Sequence, residues 1–105
     1  MLEAPEKQPT WTFLSNHAHV LLCIARDPDI RTRDIAEQVE ITERAAQRIV
    51  ADLIAEGYVK RTKNGRRNRY KINRRGHLRH PAFVRTRAIG PLLDLLDTDH
   101  RKQAN

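Results

Sequence analysis

The stretch Asp34–Arg61, DIAEQVEITERAAQRIVADLIAEGYVKR, together with Asn64–Ile72, NGRRNRYKI, decides how this chain is read. In its middle, Ala46, Ile49, Val50 and Leu53 recur at helical spacing, with Ile54 on the flank, which predicts an amphipathic helix. Thr42 is placed to cap that helix, and the helix runs through Glu56, with Gly57 standing just past its end. Upstream, Thr32 predicts the cap of a shorter helix from Arg33 to about Val39, with Ile35, Ala36 and Val39 apolar. Downstream the period changes. Tyr58–Thr62 and Asn68–Ile72 are β-type runs, and Asn64-Gly65 between them is a strong hairpin signal.

On the N-terminal side a further helix is expected from near Phe13 to Arg26–Asp27, stopped by Pro28. It carries two adjacent apolar stripes. Leu14, Ala18, Leu21, Leu22 and Ala25 form one, and Phe13, His17, Val20 and Ile24 the other. Together they span about 200°, wider than the roughly 100° of an ordinary surface helix. On the C-terminal side, Phe83, Val84, Ile89, Leu92, Leu93, Leu95 and Leu96 predict a last helix of undefined start, with a break at Gly90-Pro91 left open. The resulting fold class is mainly α with a small β-hairpin (α+β), in the order helix, helix, helix, hairpin, helix.

Charge is concentrated rather than spread. The 105 residues hold 20 Lys+Arg against 13 Asp+Glu, a net charge of +7. Residues 58–80 contain Lys60, Arg61, Lys63, Arg66, Arg67, Arg69, Lys71, Arg74, Arg75 and Arg79 and no acid, whereas the chain before them is net acidic. A single-sign cluster repels itself in the free protein and is neutralised beside a polyanion, so the block points to nucleic acid.

The residue types agree. Arg44, Gln47 and Arg48 fall on the polar face of the third helix, with Ala51, opposite its apolar stripe. Arginine pairs with the guanine edge and glutamine with the adenine edge in a major groove about 12 Å wide, which admits one helix. Thr42 and the helix start suit a phosphate. Lys63, Arg66, Arg67 and Arg69 surround the hairpin turn, where they suit the minor groove or the backbone.

With these residues in view, Trp11 to Pro81 resembles a winged helix-turn-helix of the bacterial and archaeal transcriptional regulators, of the broad MarR-like and ArsR-like type. The resemblance implies a three-helix core plus a wing and a C-terminal helix. Ala36 would be the small residue inside the second helix, and Ile41 the apolar residue after the turn. Ala46 and Ile49 would anchor the recognition helix, and Gly65 would sit at the wing tip. The corresponding organisation is a disordered tail over 1–10, a DNA-binding domain over 11–80, a helical dimerisation segment over 81–98 and a frayed tail over 99–105.

Other classes find little support. The most apolar run, Val20 to Ile24, is far short of the roughly 18 residues of a membrane span. The opening MLEAPEKQPT has no signal-peptide stretch, so a cytoplasmic, nucleoid-associated protein is expected. One cysteine excludes an internal disulfide framework and the Cys-x-Cys motif of the metal-sensing ArsR-like proteins. His19 and Cys23 stand at i, i+4 without further ligands, so no metal is expected. His17 is expected to be packed. No glycine-rich phosphate loop, GxSxG elbow or paired buried acids occur, so neither an enzyme nor a cofactor is expected.

The expected function is a sequence-specific double-stranded DNA-binding transcriptional regulator, a small dimeric repressor. A winged-helix interaction or architectural module for protein, RNA or DNA is the alternative. The DNA-binding set is Thr32, Arg33, Thr42, Arg44, Ala45, Gln47, Arg48, Lys63, Arg66, Arg67 and Arg69. The wide first helix and the leucine-rich last one predict a homodimer interface of Phe13, Val20, Ile24, Leu92, Leu93 and Leu96. No small-molecule effector can be named.

Overall fold

Ser15 sets where the first described helix begins. In the computed structural model, which describes residues 10–77 and 88–96, its Oγ accepts a hydrogen bond from the Ala18 N–H at 3.2 Å. Helix α1 therefore starts at Asn16 and runs to Arg26. The expected start near Phe13 is too early by one turn, because the Ser15 side chain captures an otherwise unpartnered N–H there. Phe13 is left outside the helix and exposed. The helix ends ahead of Pro28, as expected, with Asp27 at its cap.

Helix α2 spans Thr32–Val39. Here the expected cap shifts by one residue. Arg31 occupies the cap position, its carbonyl accepting from Asp34 and Ile35, and no side chain caps the helix. Thr32 is the first helical residue. The turn that follows places Glu40 in the left-handed region, at φ 65 and ψ 48, and closes with the Ile41 N–H on the Ala36 carbonyl at 3.0 Å. Helix α3, Glu43–Ala55, opens at Thr42, whose Oγ1 accepts from the Ala45 N–H at 3.0 Å. It closes through Gly57 (φ +84), with Tyr58 N–H on the Leu53 carbonyl and Gly57 N–H on the Ile54 carbonyl. That pair of bonds is the Schellman closure, and it needs the positive φ that glycine adopts freely.

Strands β1 (Val59–Asn64) and β2 (Arg67–Ile72) form an antiparallel two-stranded ribbon, with Val59 opposite Ile72 and Asn64 opposite Arg67. The two-residue loop is thus Gly65-Arg66, one residue later than an Asn-Gly turn would put it. Gly65 has φ +69, while Arg66 is not among the positive-φ residues. A glycine at the first loop position and an ordinary residue at the second meets the need of a type II′ hairpin.

Helix α4 spans Gly90–Leu96. Gly90-Pro91 opens this helix and does not break it, since proline in the first turn forfeits no intrahelical bond. Its approach is fixed by an isolated bridge between His77 and Ala88 and by the Ile89 N–H on the Gly76 carbonyl at 2.8 Å. The expected tails, apart from residue 10, and the expected helical residues Phe83 and Val84 lie outside the described residues.

Helix α1 lies at the centre. Five successive residues, Val20 to Ile24, are buried, which no one-sided surface helix permits. Helices α2 and α3, strand β2 and helix α4 all pack on it. One core cluster joins these residues to Ile30, Ile35, Ala36, Ala46, Ile49, Val50, Leu53, Val59, Tyr70, Ile89 and Leu93. Three helices, a two-stranded wing and a final helix on one core constitute the winged helix-turn-helix that the sequence implies. No helix among the described residues is long and apolar enough to cross a membrane.

Candidate nucleic-acid interface

The core stripe of α3 decides what its other side displays. With Ala46, Ile49, Val50 and Leu53 buried, Arg44, Gln47 and Arg48 are exposed, and Ala45 is half-buried beside them. Neither Arg44 nor Arg48 makes an ion pair with another described residue. The Thr42 oxygen caps the helix, and its hydroxyl hydrogen remains available to an acceptor beside the first free N–H groups.

A groove runs between the start of α2, the start of α3 and the wing. Ile30, Arg31, Thr32, Arg33, Glu43, Arg66, Arg67, Asn68 and Tyr70 line it. Thr32 and Arg33, placed on phosphate by the sequence reading, therefore share a concavity with Arg66 and Arg67. Four guanidinium groups and one carboxylate give it a positive balance. Arg31 was missed, because the capping argument put the helix start one residue later. Lys63 is exposed near the end of β1. Lys60, Arg61 and Lys71, also exposed, extend the basic surface along the ribbon toward its base.

Arg69 is placed differently from the rest. Its Nη1 donates to both carboxylate oxygens of Asp29, at 3.0 and 2.9 Å. Arg67 donates to the Asp29 backbone carbonyl. These two residues of the expected DNA-binding set are thus engaged within the protein, whereas Arg33, Arg44, Arg48, Lys63 and Arg66 pair with no described acid.

The expected dimer set divides. Val20 (0% exposed), Ile24 (1%) and Leu93 (3%) belong to the protomer's own core and offer a partner no surface. The extra apolar width of α1 is covered by β2 and α4 of the same chain. Phe13 is exposed, and Leu92 and Leu96 are half-buried. Trp11 and Leu95 are exposed as well and were missed.

The other candidates resolve locally. His17 is not packed. Its exposed ring pairs with Asp52, Nε2 to Oδ2 at 2.9 Å, at the edge of a cavity of about 300 Å³ lined by Leu21, Leu22, Leu53, Tyr58, Ile89 and Leu93 among others. Cys23 is buried, and its Sγ lies 3.4 Å from Gln38 Oε1, to which the thiol donates. Burial pushes the Cys23 thiol pKa up, and Arg26 opposes this more weakly. Among the described residues, no group of three or more His, Cys, Asp or Glu gathers as a metal site.

Comparison with known proteins agrees with this geometry. The sequence model of the MarR family matches residues 12–69, which cover α1, α2, α3, β1 and part of β2. No curated protein matches the chain. The match takes in more than half of the chain, including the recognition helix and the wing tip. The chain belongs to the MarR family of winged-helix DNA-binding transcription regulators.

Proposed function

We propose that this protein is a sequence-specific repressor that binds double-stranded DNA as a homodimer. The observation that carries the reading is the exposed row Arg44, Gln47 and Arg48 on α3, presented beside the arginine groove that α2 and the wing form. In this reading Arg44, Ala45, Gln47 and Arg48 enter the major groove. Thr32, Arg33 and Thr42 hold phosphates, and Arg31 joins them. Lys63 and Arg66 reach the minor groove or backbone from the wing, and Arg67 adds its charge beside them while it holds the Asp29 carbonyl.

Two copies meeting through the exposed Phe13 and Leu95 and the half-buried Leu92 and Leu96 would set two recognition helices about 34 Å apart, one turn of DNA. The target is then an imperfect palindrome. Competition binding tests the specificity. A selected site should be preferred over bulk DNA by roughly 10³–10⁷-fold. A preference near unity would show an architectural protein instead.

A further inference from the structure

The wing is tied to the loop between α1 and α2 by hydrogen bonds from three residues of β2. Arg69 holds the Asp29 carboxylate, Arg67 the Asp29 carbonyl, and the Tyr70 N–H the Pro28 carbonyl at 2.9 Å. The loop is itself fixed. The Asp29 N–H donates to the Asp27 carboxylate at 3.1 Å, the Ile30 N–H donates to the Asp27 carbonyl at 3.0 Å, and Ile30 is buried. Asp29 therefore presents its carboxylate from a prepared position. A carboxylate offers a guanidinium the same two anionic oxygens that a phosphate does. The pair is only half-buried, at 53% and 41% side-chain exposure, so it adds little to stability. The ribbon, residues 59–72, carries no acid of its own, so Asp29 supplies the carboxylate that Arg69 meets.

We propose that Asp29 is a specificity-determining residue. It keeps Arg69 paired in the complex as the anchor of the wing, and so withholds one guanidinium from the duplex. This rests on the DNA-binding reading above. Phosphate contacts are blind to sequence, so each one withheld lowers bulk affinity and leaves base readout untouched.

The salt dependence of binding to a random-sequence duplex, followed by fluorescence anisotropy with the full chain, tests this. Each phosphate contact contributes about 0.9 to the slope of log K against log salt. R69Q should keep the wild-type slope. D29N should steepen it by about 0.9, or about 3.5-fold more loss over a fourfold rise in salt. D29E should restore it. E37Q removes the same charge from an exposed α2 residue without an arginine partner among the described residues, and should leave the slope unchanged. The proposal is overturned if R69Q flattens the slope by about 0.9, if D29N leaves it unchanged, or if E37Q matches D29N. R69Q stands by itself should D29N fail to fold. A wild type that binds no duplex at any salt refutes the DNA-binding reading, whereas binding with an unaltered D29N slope refutes this inference alone.

Discussion

Glu40 carries a conformation that its side chain does not favour. An L-residue in the left-handed region costs roughly 1–2 kcal/mol, and the turn between α2 and α3 requires that region. Glu40→Gly should relieve the strain and lose part of the gain to unfolded-chain entropy, for a net stabilisation of about 0.5–1 kcal/mol. A urea midpoint that moves down instead would mean the glutamate side chain contributes more than the strain costs. Cys23 gives a second expectation. Its pKa is raised above the ordinary 9.0, so the folded thiol ionises later than the unfolded one. The stability this contributes is full below pH 9 and is lost as pH rises past it. Alkylation at pH 8 should accordingly be slow in the native protein and accelerate in denaturant. At this scale Thr42 and Gly57 were readable from the sequence, because a cap hydroxyl and a C′ glycine are local chemistry. Glu40 was not, because nothing about a glutamate announces a positive φ.

At the level of elements, the junction after the wing is the tightest. A Cβ on Gly76 would stand 2.6 Å from Tyr58 Cδ1 and 2.9 Å from Cε1, with the Tyr58 hydroxyl already donating to the His77 carbonyl. Gly76→Ala should cost about 1–3 kcal/mol as the ring is driven off its seat, measured by thermal or urea unfolding. The α3 helix was predicted from its apolar period with Thr42 and Gly57 at its ends, and the ribbon from two β-type runs around Asn64-Gly65, since both patterns are complete within a short window. The loop position was misjudged by one residue, because Asn64-Gly65 satisfies one hairpin turn and Gly65-Arg66 another. Register decided between them through Val59 and Tyr70, whose burial holds the strands in place. The start of α4 stayed open for a related reason. Gly-Pro reads equally as a break or an opening until Ile89 and Leu93 are seen to join the core and α4 to pack on α1.

For the whole molecule, the recognition helix and the wing should make separable contributions to DNA binding. Arg48→Ala should cost about 1–3 kcal/mol at its own site and relax the preference at one base pair. Arg66→Ala should weaken all sequences alike and flatten the salt slope by about one unit. Equal effects of both substitutions on specific and random duplexes would exclude α3 from base readout. Self-association is the second expectation at this scale. Sedimentation should show a dimer at micromolar concentration that Phe13→Glu weakens, and a monomer throughout would end the palindrome argument. What covers the first helix was the part least readable in the sequence. The width of an apolar face says how much must be covered but not by what. Val20 and Ile24 are covered by segments of the same chain that lie far from them in sequence.

Arg74 joins two parts of the molecule that the sequence keeps sixteen residues apart. Its guanidinium holds the Gly90 carbonyl at 3.0 Å and the Asp94 carboxylate, while its own carbonyl takes the Gly90 N–H at 3.0 Å. The ribbon leaves the fold at one side of this clasp and the last helix begins at the other. A force that shifted that helix would load the bonds of Arg74 to Gly90 and Asp94 first, two residues past the end of the ribbon.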